Sequence, residues 1–130
     1  MADSLHVELV AADREVWSGD ATTVIARTTE GDIGVLPGHA PYIGLLADGV
    51  VEIRTDGGAE QVAAVHGGFL SIADDRVSIL AEFAELSEEI DLEEARRDLQ
   101  DAESAGGDDE GALHALRQAQ SRVRAAERAR

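Results

Sequence analysis

Residues 65–81, Val-His-Gly-Gly-Phe-Leu-Ser-Ile-Ala-Asp-Asp-Arg-Val-Ser-Ile-Leu-Ala, carry the pattern that decides the fold. Apolar side chains flank a serine in each of two short runs, Leu70–Ile72 and Val77–Ile79. A period of two is typical of a strand with one buried face. Gly67-Gly68 precedes the first run and Asp74-Asp75 separates the two, and both pairs favour turns. The stretch predicts a β-hairpin that contributes to the core.

The same alternation recurs through the first part of the chain, at Leu5–Leu9 and at Val51–Arg54. Glycine, proline and aspartate separate further candidate strands, which are Glu15–Trp17, Ala21–Thr28, Gly34–Leu36, Tyr42–Leu46 and Glu60–Val65. Many short strands with turns at intervals of about 8–12 residues indicate a β-sandwich or a β-barrel.

The pattern changes to a helical one near Ser87. Asp91 can cap a helix, Glu94 follows three residues later, and Ile90 stands where a hydrophobic staple begins. Two apolar stripes with helical spacing follow, separated by Gly106-Gly107-Asp108-Asp109: first Leu92, Ala95, Leu99 and Ala102, then Leu113, Leu116, Gln120 and Val123.

These stripes predict a C-terminal antiparallel pair of helices, so the chain is mainly β with an α appendage. We place the division between a β domain, residues 1–85, and a helical hairpin, residues 86–130. The stripes are thin and rich in alanine. The hairpin therefore buries little apolar area, and we expect it to dock weakly and to be able to move.

Composition restricts the possible partners. The 130 residues carry a net charge of −16, which disfavours binding to nucleic acid or to anionic lipid, and no cysteine is present for disulfides or thiolate metal sites. No apolar run approaches the roughly 20 residues of a membrane span. The charge is uneven: residues 84–110 carry twelve acidic side chains, whereas basic ones dominate residues 111–130, namely Arg117, Arg122, Arg124, Arg128 and Arg130.

Residue patterns for catalysis are missing from the sequence. It contains neither a phosphate-binding GxxxxGK[ST] loop nor a GxSxG nucleophile elbow. The histidines lack neighbours at metal-ligand spacing, and we interpret them as scattered exposed side chains: His6, His39, His66 and His114. The acidic pairs Asp74-Asp75 and Glu88-Glu89 fit solvated positions better than acid–base chemistry. We therefore expect no enzymatic activity, no metal and no cofactor.

Residues 30–42, Glu-Gly-Asp-Ile-Gly-Val-Leu-Pro-Gly-His-Ala-Pro-Tyr, form an unusual segment. Proline fixes the backbone and removes a hydrogen-bond donor, so Pro37 and Pro41 should lie in a loop or at a sheet edge. Composition alone favours a rigid connection between strands. The alternative is a rigid loop presented to a partner.

In order and spacing, these segments resemble the epsilon subunit of the F-type ATP synthase. Residues 34–41 are similar to its G-[IV]-L-P-G-H-A-P signature, and Gly67-Gly68-Phe69 followed by residues 77–81 is similar to its G-G-F and V-x-[IV]-L-A segments. The start of the chain, Val7–Val10 and Val16–Gly19, is similar as well. The resemblance covers residues 4–105 well and the last 25 loosely, and it favours the loop as a partner-binding element.

The resemblance implies a sandwich of about ten strands followed by two helices. It also implies a non-catalytic rotor subunit of the central stalk, which binds the gamma subunit and the c-ring and couples proton transport to ATP synthesis. The complex places such a subunit at the cytoplasmic face of the bacterial cell membrane, as a peripheral protein. By position, Asp32 would face the polar loops of the c-ring, and the loop residues His39, Ala40, Pro41 and Tyr42 would contact gamma and the c-ring.

For the helical hairpin, the resemblance implies a regulatory arm. Folded down it packs on the sandwich, and extended it contacts the alpha and beta subunits transiently and restrains ATP hydrolysis. The arginines between 117 and 130 would then meet acidic segments of beta. The alternative is that they solvate a helix face and favour the C-terminal end of the helix dipole.

Two other functions remain alternatives. Some members of the resembled family bind ATP through an [IL]-D-x-x-R-A motif, and Ile90–Ala95 keeps its frame with Glu94 in place of the arginine. Because a carboxylate repels phosphate, an ATP sensor is less favoured than the rotor subunit. A small hydrolase on a sandwich scaffold would need a nucleophile and a base, and the sequence shows no such set.

Overall fold

The computed structural model describes residues 4–128. Ten strands precede two helices, and a 3₁₀ turn at Ser87–Glu89 joins the two parts. The strands are β1 Leu5–Ala11, β2 Arg14–Ala21, β3 Thr23–Thr28, β4 Gly31–Val35, β5 Tyr42–Leu45, β6 Gly49–Arg54, β7 Glu60–His66, β8 Phe69–Ala73, β9 Arg76–Leu80 and β10 Phe83–Leu86. The helices are α1 Leu92–Ala105 and α2 Glu110–Arg128.

The strands form two five-stranded sheets, which resolves the choice between sandwich and barrel in favour of the sandwich. The first sheet has the order β2-β1-β9-β8-β5, and the second has the order β10-β7-β6-β3-β4. Neighbouring strands are antiparallel except β1 and β9, which are parallel. The predicted β8–β9 hairpin is confirmed, and its alternating apolar side chains lie in the core between the sheets: Leu70, Ile72, Val77 and Ile79.

Gly68 allows β8 to start close to the end of β9. Its φ is +107°, and a Cβ at this position would collide with the carbonyl of Leu80. Its carbonyl accepts a hydrogen bond from the Leu46 amide at 2.9 Å, which ties the start of β8 to the end of β5. Glycine is therefore required here both by backbone conformation and by space.

The second sheet differs from the sequence prediction at one edge. Strand β10, Phe83–Leu86, was not among the candidate strands, because its four residues give too short an alternation to distinguish it from the helical pattern that follows. It pairs antiparallel with the end of β7, from Phe83 opposite His66 to Leu86 opposite Ala63. This strand leads the chain from the sandwich into the helices.

The predicted start of α1 is confirmed. The Asp91 carboxylate accepts a hydrogen bond from the Glu94 amide at 3.1 Å, as an N-cap does. Asp109 plays the same part before α2, where its carboxylate accepts from the Ala112 amide at 2.7 Å. The two helices pack against each other, and α2 lies on the outer face of the second sheet, over β6 and β7.

Candidate partner-binding surfaces

An exposed apolar row crosses the outer face of the first sheet. Strand register places Val10 beside Leu80, Leu80 beside Phe69, and Phe69 beside Leu45. These four residues, from β1, β9, β8 and β5, are called the apolar row below. Leu45 is 53% exposed, Phe69 51% and Leu80 49%, and Val10 is half-buried.

Ile43 extends the apolar row along β5 and is 73% exposed, the largest exposure of any large apolar side chain in the part of the chain described. Single exposed apolar residues are ordinary on a protein surface, whereas a contiguous set marks an interaction site. The row also borders a shallow hollow floored by the small residues Ala11, Gly68 and Ala81. This face of the sandwich is therefore suited to bind an apolar surface of another protein.

The proline-containing loop, residues 36–41, lies next to this face because it leads into edge strand β5. Its backbone is held in place: the Gly38 amide donates to the Asp75 carboxylate at 2.6 Å, and the His39 amide donates to the Leu36 carbonyl at 3.1 Å. The side chain of Leu36 is 59% exposed, and Ala40 and Pro41 are exposed as well. The loop is thus fixed by hydrogen bonds and presents a partly apolar surface to solvent.

His39 and Tyr42 have a more internal role in this loop. The His39 Nδ1 lies 2.6 Å from the Ala40 carbonyl oxygen, so this nitrogen carries the proton and donates. Tyr42 packs against the sandwich core, and its ring covers Gly44, where any Cβ would meet the phenol. Both side chains are half-buried and support the conformation of the loop from its inner side.

Asp32 lies apart from this loop surface. It sits on β4, the edge strand of the second sheet, opposite Arg27 of β3, and its Oδ1 is 3.1 Å from the Arg27 Nε. Its side chain points to the outer face of that sheet, since Val35 of the same strand, at the opposite parity, is in the core. The predicted contact residues therefore divide between two faces of the sandwich.

The hairpin covers the central part of that outer face. Val62 and Ala64 of β7 meet Val123, Ala125 and Ala126 of α2 in a second apolar cluster, which Ile90 and Ala95 complete. Most of the side chains that α2 contributes are alanine-sized. The contact is therefore close but small in apolar area.

Three arginines of α2 reach acidic side chains of the sandwich. Their contacts are Arg117 Nε to Asp48 Oδ2 at 3.2 Å, Arg122 Nε to Glu85 Oε1 at 2.7 Å, and Arg128 Nη2 to Glu52 Oε1 at 2.9 Å. The acids come from three places: the turn before β6, strand β10, and strand β6 itself. These contacts are called the arginine contacts below.

Arg122 has the most enclosed of these contacts, with 15% of its side chain exposed. Its Nη1 also lies 3.1 Å from Asp98 of α1, so one guanidinium joins both helices to β10. Arg124 is exposed, and within residues 4–128 it has no ion-pair partner. Arg130, the last arginine that the sequence singled out, lies outside the described residues.

The segment between sandwich and hairpin has its own attachment. Glu89, in the 3₁₀ turn, accepts from Arg14 of β2 at 2.9 Å and from the Leu86 amide at 3.0 Å. Both hydrogen bonds hold the pKa of the Glu89 carboxyl below its ordinary value, and the bond from Arg14 has the larger effect. The start of the hairpin is thus fixed to the first sheet as well as to the second.

Residues 4–128 hold no cluster of three or more histidine, aspartate or glutamate side chains that could bind a metal ion. Neither of the two described helices is long and apolar enough to cross a bilayer. What these residues build is a set of surfaces: an exposed apolar face, a projecting loop and a docked helical pair.

A family model described as the β-sandwich domain of the ATP synthase delta/epsilon chain matches residues 4–87. The chain belongs to this family. The resemblance inferred from residues 34–41 and 67–81 is therefore confirmed, as is the predicted fold of a ten-stranded sandwich followed by two helices.

Relatives within the family match nearly the whole chain. The ATP synthase epsilon chain of Streptomyces coelicolor is 60% identical over 126 residues, covering 97% of this chain and 98% of that protein. The epsilon chain of Rhodococcus opacus is 57% identical over 126 residues, with coverages of 96% and 98%. The match includes the helical hairpin, although the family model ends at residue 87.

Two solved ATP synthase structures each contain a chain that aligns with this one. A chain of the mitochondrial ATP synthase of Euglena gracilis, in a structure of OSCP, F1 and c-ring, aligns with a TM-score of 0.75 and 27% identity, covering 98% of this chain and 79% of that chain. A chain of the Tetrahymena thermophila mitochondrial ATP synthase central stalk and c-ring aligns with a TM-score of 0.60 at 18% identity, covering 96% and 95%, and shows the shared fold.

The arginine contacts predict how firmly the hairpin is held. Replacing Arg122 by Ala removes the largely enclosed ion pair with Glu85 and the contact with Asp98 of α1. We therefore expect the free energy of docking to weaken by roughly 1–2 kcal/mol. Backbone amides of residues 123–126 should then exchange with solvent roughly 5–30 times faster, measured by hydrogen exchange and mass spectrometry.

Arg124→Ala is the matched control, since Arg124 lies two residues away on the same helix and is exposed. It should leave the exchange rates within about twofold. Equal acceleration by both variants would mean that the loss of a positive charge from α2, and not the contact to Glu85 and Asp98, controls docking.

Proposed function

We propose that this chain is a non-catalytic rotor subunit in the central stalk of a proton-translocating F-type ATP synthase, where it binds the gamma subunit and the c-ring. Membership of the family and its nearly full-length epsilon relatives support the proposal. The observation that carries it is the apolar row, an exposed surface that remains uncovered while the hairpin is docked elsewhere. The complex would hold the chain at the cytoplasmic face of the bacterial cell membrane.

In this proposal the gamma subunit covers the apolar row and Ile43. Exposed aromatic and aliphatic side chains supply the central, desolvated part of a protein interface, and Phe69 lies in the middle of the row. The loop offers a further contact at the other end of β5 from Leu45, beside the turn between β8 and β9. Ala40, Pro41 and Leu36 offer apolar contact there, and His39 and Tyr42 keep the loop in shape.

Asp32 would contribute at the c-ring in a different way. It is exposed and already paired with Arg27, so a c-subunit arginine would have to replace Arg27 as its ion-pair partner. Exposed ion pairs contribute well under about 1 kcal/mol, so this contact orients the subunit and adds little affinity. The position of Asp32 near α2 also brings the c-ring contact close to the docked hairpin.

The hairpin, beginning after residue 85, would be the regulatory arm that restrains ATP hydrolysis in its extended position. The arginine contacts support this, because docking is built from ion pairs and small apolar residues, which a competing partner can replace. On extension, Arg117, Arg122 and Arg128 would become available to acidic segments of the beta subunits, together with Arg124, which is already exposed.

Binding to gamma can be tested on the apolar row. The double variant Leu45→Ser, Phe69→Ser removes two apolar contacts, for which we expect affinity to fall at least about 30-fold, corresponding to roughly 2 kcal/mol. The measurement is a titration against purified gamma, followed by gel filtration of the mixture.

The control is Leu113→Ser, an exposed apolar residue of the hairpin at 37% exposure, which should bind gamma as the unchanged chain does. Undiminished binding by the double variant, with its circular dichroism spectrum unchanged, would exclude the apolar row as the gamma site.

Regulation can be tested by deleting residues 106–130, which removes α2 and the arginine contacts. ATP hydrolysis by the reconstituted complex should rise several-fold, because no arm can extend toward the catalytic subunits. Co-elution with gamma shows that the shortened chain has been incorporated. Unchanged hydrolysis by a complex that contains it would refute the regulatory role and leave the rotor role untouched.

A further inference from the structure

His66 is the most enclosed ionisable side chain on the outer face of the second sheet. It ends β7, has the same parity as Val62 and Ala64, and is 2% exposed. Within residues 4–128 neither ring nitrogen has a hydrogen-bond partner. A buried imidazole without partners is stable only in the neutral form, because a charge there would be desolvated without compensation.

The surroundings of His66 come from both the sandwich and the hairpin. The ring of Phe83, on β10, lies 5.6 Å from the imidazole, centroid to centroid, at an angle of 33°. From the hairpin, α2 carries His114, Arg117 and Arg122 toward this site, and the charges of His114 and Arg122 both disfavour a protonated His66. The docked hairpin therefore adds both burial and positive charge.

Asp48 is the acidic group nearest to His66, at 4.0 Å from Oδ1 to Nδ1, beyond hydrogen-bonding distance. Its carboxylate is already occupied, since Oδ1 accepts from the Gly67 amide at 3.0 Å and Oδ2 from Arg117 at 3.2 Å. Two glutamates lie nearby on the β10 side: Glu82, whose side chain flanks Gly67, and Glu85, which is paired with Arg122. None of these acids compensates a charge on His66 fully.

We propose that His66 makes docking of the hairpin depend on pH, so that mild acidification favours the undocked hairpin. Lifting α2 exposes the imidazole to water, where it can take up a proton and so stabilise the undocked state. This pH dependence belongs to the isolated chain and does not depend on its role in an ATP synthase.

The direction of the pH effect and the pH range in which it occurs follow from the pKa of His66 in the docked and in the undocked state. Burial lowers the pKa of His66 in the docked state to about 4, against an opposing effect of the Asp48 carboxylate. A solvated histidine has a pKa near 6.5. The contribution of neutral His66 to docking is thus complete above about pH 6.5 and is lost as the pH falls from there toward 4. Between pH 7.5 and 5.5 the undocking constant should rise about tenfold.

His114 acts in the opposite direction. Its Nδ1 lies 4.0 Å from Asp48 Oδ2, so a proton on this ring adds attraction between α2 and the sandwich. The side chain is 52% exposed, which makes this effect small. The window above pH 5.5 also lies above the range in which carboxylates ordinarily take up protons.

Undocking can be measured with a buried thiol. The chain has no cysteine, and Ala125 is fully buried between α2 and the sandwich, so Ala125→Cys provides a single reporter. Its rate of reaction with a disulfide reagent, divided by the rate for a short peptide at the same pH, gives the undocking constant even when undocking is rare. We expect an increase of about tenfold from pH 7.5 to 5.5.

His66→Phe in the same background should abolish this increase, leaving a change within about twofold. His114→Gln should retain or enlarge it, and His6→Gln, on the other sheet, should leave it unchanged. A pH-independent undocking constant in the parent, or an undiminished increase in His66→Phe, would overturn the proposal.

A second measurement needs no substitution at His66. The imidazole carbon signals of His66 in the unmodified chain should show no titration between pH 7.5 and 5.5, apart from the growing undocked population. A midpoint near 6.5 in the docked chain would overturn the proposal even if the phenylalanine variant failed to fold.

Discussion

Strand β7 is apolar on both of its faces, and the arrangement of the whole molecule depends on this. Ala63 and Val65 point into the sandwich core, whereas Val62 and Ala64 point outward. An outward apolar surface in the middle of a sheet must be covered, because its exposure to water costs free energy in proportion to its area. The docked hairpin supplies the cover, which fixes it to the second sheet.

The first sheet is left open as a result. Its outer face carries the apolar row, and no described element lies over it. The two sheets therefore have different tasks: one binds a segment of the same chain, and the other is free to bind another protein. For the proposed rotor function this separation would be useful, since a change in the position of the hairpin would leave the attachment to the stalk intact. The loop with Pro37 and Pro41 lies at the open side, and the arginine contacts lie at the covered side.

Much of the fold could be predicted from local patterns. Alternation identified the hairpin of β8 and β9, and the Asp91 cap identified the start of α1, because both signals lie within a few residues. Residues 34–41 and 67–81 were sufficient to recognise the family. Strand β10 was missed because four alternating residues are too few to stand out beside a helix.

The surfaces were harder to predict, because they depend on pairing between distant parts of the chain. Leu45, Phe69 and Leu80 form a row only through strand register, although each occupies an outward position of its strand. The partners of Arg117 and Arg122 lie 69 and 37 residues away. The family resemblance assigns both Asp32 and His39 to partner contacts, yet the chain passes from the second sheet to the first between them, and they lie on different faces. His66, interpreted as an exposed histidine, is buried, since Phe83 of β10 and the docked hairpin both lie near it.

In the proposed function, the open face of the first sheet binds the gamma subunit while the hairpin stays docked on the second. Because the chain lacks cysteine, a photoreactive group can be attached at one position, Ile43→Cys on the open face or Gln120→Cys on the outside of α2. Irradiation of the complex with gamma should give a cross-link from position 43 and none from position 120. A cross-link from position 120 alone would contradict this arrangement, because gamma would then lie on the hairpin and the apolar row would be free.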